Sequence, residues 1–465
     1  MLSSCLLNVL QALVSPIPNR YTWPLTPGKG ARGRVYVFRE EPMRWMRAAG
    51  RGLLVLAVVL TGYVASGAHA DESAPGGRGP LTLATAGDLT GYLGPLLQGW
   101  NRTHPAEKVT LVELPDSADE THAQMTTDLR GGDRGRFDVL NIDVNWTSEF
   151  AAAGWIRPLP PDRFPLKSFL PPVVDTATYQ GRLYAVPYVT NAGLLLYRKD
   201  VLAKEGVPPP RTWAELEHDA RTIAPKYGLD GYAGQFLPYE GLTVNAAEAV
   251  YSAGGTILGD EGTRVTVDSD AAREGIGFLA RGIREGWIPE KALTYKEEES
   301  KQAFQDGRLL FLRNWPYAYA VASARGSRVA GRIGAVPLPG PHGPGTSVLG
   351  GSDLAVNTHA RHPDSAARLI AYLTSEPVQR QVLTRGALPP VRAALYEDPA
   401  LVRRFPYLPT LRSAVLTAAP RPKSPHYDQV SLVVQAVVQD ALTGHETPAA
   451  AVRRLARELA AISRR

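Results

Sequence analysis

From residue 81 onward the chain alternates short apolar runs with segments whose apolar residues recur every three or four positions. LTLAT (81–85) and VTLVEL (109–114) are rich in aliphatic and β-branched residues and predict strands. Residues 93–101 between them predict a helix, and a second is predicted over 118–129, stopped by Gly131 and Gly132. FDVLNI (137–142) predicts a third strand. This alternating order predicts an α/β fold with a largely parallel sheet and helices on both faces.

Later segments keep the mixed character without the strict alternation. Residues 271–284 place Ile276, Leu279, Ala280 and Ile283 at helical spacing, with Asp270 expected as the cap and Gly286 as the stop. The stretch FLPYEGLTVNAAEAVYSAGG (236–255) passes from a polar-aromatic loop into an apolar-periodic helix, with Tyr239 and Glu240 side by side at the junction. After the Pro/Gly-rich VPLPGPHGPG (336–345), LAVN (354–357) predicts a strand and 363–373 a helix. An amphipathic helix with solvated arginines is predicted over 449–463. No repeat of roughly 20–50 residues is present, which excludes a solenoid.

Composition adds size. With 465 residues, 44% apolar and 21% charged, the chain can bury a large core, and its length predicts two lobes or domains. The net charge of +6 is misleading, because residues 1–70 hold eight Lys/Arg against two Asp/Glu. The remainder is balanced, at 43 of each, so charge gives no support for a nucleic-acid partner.

The basic excess surrounds RWMRAAGRGLLVLAVVLTGYVASGAHA, where Arg44, Arg47 and Arg51 precede the apolar run 53–60 and Ala68-His69-Ala70 follows. That is the order of a secretory signal peptide, 43–70, and its apolar run is too short to span a bilayer. Translation is expected to start at Met43 or Met46, leaving 1–42 as a doubtful extension. Cys5, the sole cysteine, goes with it, so the mature chain has no disulfide, cysteine metal site or thiol nucleophile. LTGY (60–63) is similar to a bacterial lipobox with Tyr63 in place of the lipid-bearing cysteine. Release after Ala70 as a soluble exported protein is therefore expected rather than lipid anchoring.

Signatures of catalysis are missing: no GxSxG elbow, HExxH helix, phosphate-binding loop or dinucleotide glycine fingerprint occurs. The nine histidines lack metal-ligand spacing and are expected to be solvated. No enzyme activity, cofactor or metal is expected.

What stands out is a set of polar and aromatic residues at the ends of predicted elements. Asp88 follows the first strand, Asp143 and Trp146 the third, and strand exits in open α/β sheets converge on a ligand crevice. Asn191, Tyr239, Glu240 and Trp315 occupy similar junctions. Together they have the chemistry of sugar recognition, in which aromatic rings cover a pyranose C–H face and carboxylates accept from its hydroxyls. Each also has a plainer reading: Trp315 as a core anchor before Pro316, Glu240 as a favourable acid in a first helical turn, Asp143 as a helix cap. Tyr92 and Tyr317 are expected to pack.

PYVTNAGLLLYRKDVL, LPYEGLTVNAAEAVYSAGGTIL, AFQDGRLLFLRNWPYAYAVA, HPDSAARLIAYLTS and LPPVRAALYEDP, in this order and spacing, resemble family 1 of the extracellular solute-binding proteins of ABC sugar importers. YEGLT and RNWPYA narrow the resemblance to the trehalose/maltose-type branch, and it runs from Leu81 to Leu459. It implies a two-lobed, type II periplasmic-binding-protein-like fold that closes over one sugar like a hinge and docks on a membrane permease, most simply as a monomer. Lobe one is implied over 81–187 plus 340–387 and lobe two over 188–339 plus 388–465, with crossovers near 186–191 and 335–339.

Carried over by position, Asp88, Asp143 and Trp146 line the cleft from lobe one, and Asn191, Tyr239, Glu240 and Trp315 face them. Gly350 and Gly351 match a loop whose backbone reaches the ligand, and Arg421 an arginine that hydrogen-bonds sugar hydroxyls. Asn191 and Ser352 depart from the branch, which has aspartate and tryptophan there, and this leaves the particular sugar open. Another sugar, an oligosaccharide or a polyol stays a rival ligand, and a secreted glycoside hydrolase a rival class. A Glu240 that faces the cleft in this way should be removable with little loss of stability.

Overall fold

The computed structural model describes residues 77–88, 91–132 and 135–464. The expected signal peptide, Tyr63 and Cys5 lie outside them.

Two sheets organise the chain. The first contains β1 (Leu81–Ala86), β2 (Val109–Leu114), β3 (Val139–Asp143), β4 (Ala185–Ala192), β9 (Val348–Val356) and β10 (Ala419–Pro420). The second contains β5 (Leu194–Arg198), β6 (Asp230–Ala233), β7 (Leu309–Asn314) and β8 (Ile333–Pro337), in the order β8-β5-β7-β6. The predicted βαβαβ unit is present, with β1 parallel to both β2 and β3. The expectation of a largely parallel sheet is corrected beyond that unit. β9 runs antiparallel to β3 and β4, and β5 antiparallel to β7, because β9 and β5 each arrive from the other sheet rather than through a helical crossover.

The chain passes between the sheets at Gly193, where β4 gives way to β5, and again between β8 and β9. The first crossing thus falls just beyond the expected 186–191. Segment 388–465, expected wholly in lobe two, returns Ala419–Pro420 to the first sheet before its last helices begin.

β9 is the axis of this arrangement. β4 occupies one of its edges, while β3 and β10 share the other. They run toward one another along it: Asp143 ends β3 opposite Ser352, and Pro420 ends β10 opposite Leu349. The gap between the two ends lies beside Gly350 and Gly351. Gly351 has φ +121°, and a β-carbon there would lie 2.1 Å from the Val189 carbonyl oxygen. Gly351→Ala is therefore expected to destabilise the protein by about 1–3 kcal/mol or more, measured by urea denaturation.

In the second lobe, helix Glu240–Ser252 is enclosed on all sides, with every residue from Glu240 to Tyr251 buried. A helix enclosed all round belongs to a core, and small residues let its neighbours approach. A β-carbon on Gly275 of helix Asp270–Arg284, for example, would fall 2.5 Å from the Ala249 carbonyl oxygen. Helices Tyr427–Leu442 and Pro448–Ile462 complete the bundle. Ser269, not Asp270, caps helix Asp270–Arg284, its hydroxyl accepting from Ala272 N at 3.1 Å; Asp270 is the first helical residue.

Candidate functional site

The opposed ends of β3 and β10 place an acid and a base side by side. Asp143 is the last residue of β3, and Arg421 follows β10 directly. The Arg421 Nη2 donates to Asp143 Oδ1, and Nη1 reaches Asp143 Oδ2 at 3.3 Å. Nη1 also donates to Glu240 Oε1 at 2.6 Å. Glu240 opens its helix in the second lobe, so one arginine joins a carboxylate from each lobe.

Glu240 is held further. Tyr427 donates to Oε1 at 2.6 Å and Ser431 to Oε2 at 2.5 Å. These two hydroxyls come from one face of helix Tyr427–Leu442, four residues apart. The Glu240 amide donates to Asp119 Oδ1 of the first lobe at 3.3 Å, so an acid from across the cleft caps this helix. Burial pushes the Glu240 carboxyl above the ordinary range; Arg421 pulls it down and the Asp143 carboxylate pushes it up. Arg421 is 4% exposed, and its buried Nε has no hydrogen-bond partner among the described residues.

A second group forms at the glycines. Asn191 lies opposite Gly350 in the β4–β9 register. The Trp315 ring covers Gly350 so closely that a β-carbon there would sit 2.9 Å from it. Its face lies on the Arg313 guanidinium, 4.1 Å from ring centre to Cζ, a cation–π contact. Trp315 is only half-buried, so it joins a core anchor to an open ring surface.

Other nominated residues take structural partners. Tyr239 caps the helix with extended backbone and donates its hydroxyl to Glu297 at 2.5 Å. Burial first, and then the Glu297 carboxylate, holds its phenol well above the usual range. Asp88 accepts from Leu93 N at 2.7 Å, at the start of helix Leu93–Thr103. Trp146 is buried, with ring centres 5.1 Å from His122 and 6.0 Å from Phe150. The expectation that all histidines are solvated fails at His122, which is half-buried and 3.1 Å from Glu149. Burial disfavours its charge, yet Glu149 outweighs this and raises its pKa.

Asp143 is not a helix cap, because its carboxylate is taken by Arg421. Nor does Glu240 face open solvent; its removal would leave a buried guanidinium and two hydroxyls short of a partner. Asp119, Tyr427 and Ser431 were not nominated from sequence. Only the spacing of Tyr427 and Ser431, one helical turn apart and just after Arg421, carried a signal. A surface groove on the first lobe, lined by Ile156, Arg157, Tyr184 and Pro363, contains none of these residues.

Two α/β lobes joined by crossing strands, with charged groups from both lobes meeting at the hinge, define a two-lobed binding protein of the maltose-binding-protein type. The family model for bacterial extracellular solute-binding proteins matches residues 86–380, and the chain belongs to that family. A probable ABC transporter-binding protein of Deinococcus radiodurans is 34% identical over 371 residues, 77% of this chain and 87% of that protein. The maltose-bound T. maritima MalE3 structure is 36% identical and aligns with a TM-score of 0.77 over 82% of this chain and 99% of that one. The mannitol-binding protein of Pseudomonas aeruginosa is 24% identical over 77% of this chain and 88% of its own length. Among the described residues, no helix is long and apolar enough to cross a membrane.

Proposed function

We propose that this chain is the exported, sugar-capturing component of an ABC importer, and that it delivers an α-linked disaccharide such as trehalose or maltose to a membrane permease. The observation that carries the reading is the convergence of Asp143, Glu240 and Arg421 where the ends of β3 and β10 flank Gly350, the residue that the half-buried Trp315 ring covers. Carboxylates and a guanidinium together match the donors and acceptors on a sugar's hydroxyl rim, while an indole matches its C–H face. The unpartnered Arg421 Nε supplies a further donor.

A ligand that touches both lobes in one state and fewer groups in the other shifts the population toward closure. No covalent step is required. Similarity to a protein named as mannitol-binding favours a polyol as the second reading, since a linear polyol offers hydroxyls without a ring face. Asn191 and Ser352 remain the positions expected to set this choice.

Titration with trehalose, maltose, sucrose, longer α-glucans and mannitol, followed by calorimetry and tryptophan fluorescence, is expected to give saturable binding of one sugar. Preference for mannitol would establish the second reading. A folded protein that binds none of them would overturn both.

A further inference from the structure

Arg313 and Glu248 form an ion pair whose side chains are 1% and 5% exposed. Arg313 Nε and Nη2 donate to the two Glu248 oxygens at 2.6 Å each, and Nη1 donates to Gln235 Oε1 at 2.9 Å. Every guanidinium nitrogen is committed, which fixes the plane of the group.

The pair sits against both strand crossings. A β-carbon on Gly193, at the first crossing, would lie 2.4 Å from Glu248 Oε1 and 2.8 Å from Arg313 Nη2. At the second, Glu248 Oε1 accepts from Ser347 Oγ and Val348 N, both at 3.3 Å. The outer face of the guanidinium carries Trp315, whose far edge covers Gly350. One contact chain therefore runs from the first crossing through the ion pair to the second, and from the pair to the indole. A buried pair of this kind is weak evidence for stability, because desolvating two charges offsets their attraction.

We propose that Glu248 and Arg313 are a positioning pair: they hold the Trp315 ring in its orientation and couple it to both crossings, so that hinge closure and presentation of the aromatic face occur as one motion. This rests on the sugar-binding reading above. A lysine at 313 keeps the charge but lacks the planar fork and the flat face on which the ring lies.

The test compares Arg313→Lys, Trp315→Phe and the double variant. For the sugar bound by the parent protein, Arg313→Lys alone is expected to weaken affinity at least tenfold. In the Trp315→Phe background the same change should alter affinity less than twofold, since the two residues act as a unit. A purely structural role would lower the melting temperature and leave the affinity of the folded protein intact. With 5-fluorotryptophan incorporated, the Trp315 fluorine resonance, identified by its loss in Trp315→Phe, should move in sugar-free Arg313→Lys.

Unchanged affinity, equal losses in both backgrounds or an unmoved resonance would each overturn the proposal. Glu248→Gln carries the same comparison if Arg313→Lys does not fold. Should the parent bind no sugar, the function proposed above fails on its own, and the fluorine measurement still decides whether the pair sets the ring.

Discussion

Glu240→Ala is expected to destabilise the protein by about 3–5 kcal/mol and to weaken sugar binding at least tenfold, measured by urea denaturation and calorimetry. Deleting one member of a buried charge cluster costs far more than the net value of the contact, because the partners stay behind. Here Arg421 would keep Asp143 alone, and the Tyr427 and Ser431 hydroxyls would lose their shared acceptor. Glu240→Gln, which keeps the shape and one acceptor, should fall between the variant and the parent. A loss below about 1 kcal/mol for Glu240→Ala, the size of a solvated pair, would mean that the cluster is hydrated.

Asp353→Asn is expected to be more stable than the parent at pH 8 and close to it at pH 4. Asp353 is fully enclosed on β9, with Thr176 and Thr147 hydroxyls at 3.2 and 3.5 Å from Oδ2 and no partner for Oδ1 among the described residues. Burial pushes its pKa from 3.8 up to about 8, with the Asp143 carboxylate adding to the rise against the two hydroxyls. Below pH 4 folded and unfolded chains both hold the proton, and the group favours neither. Between about pH 4 and 8 only the folded form retains it, so this group removes stability as pH rises, by up to about 1.4 kcal/mol per unit. Above pH 8 the effect levels off.

An amide is neutral throughout and lacks this slope. Carboxylates with lowered pKa, such as Asp200, give slopes of the opposite sign, so the diagnostic quantity is the variant-minus-parent difference across pH. A difference that stays flat from pH 4 to 8 would show that Asp353 ionises normally in the fold.

Much of the fold was legible along the chain. Strands β1 and β2 and helices Ala118–Leu129 and Pro363–Leu373 lie where periodicity placed them, and Gly286 follows the helix it was expected to stop. The short strand expected at 354–357 is the end of nine-residue β9, whose glycines 350 and 351 hid its beginning. Glycine lowers strand propensity, so the segment that forms the hinge axis carried the weakest local signal.

The site divides in the same way. Asp143 and Glu240 were nominated at element ends and Arg421 through the family resemblance, all as groups facing a sugar, without any indication that they pair with one another. Arg421 lies 278 positions from Asp143 and 181 from Glu240. Helix Glu240–Ser252 was expected only as an apolar-periodic helix; periodicity marks one buried face and does not reveal that neighbouring helices cover the other, so that every residue from Glu240 to Tyr251 is buried. By itself the sequence determined the local elements, the balanced charge of the chain after residue 70 and the family to which it belongs, since these depend on neighbours along the backbone. Tertiary structure alone decided which charges pair, which acids are shut away from water and which ring lies on which guanidinium. Electrostatic partners are set by distance through space, and here β3 and β10 had to run toward each other along one edge of β9 before any of them could meet.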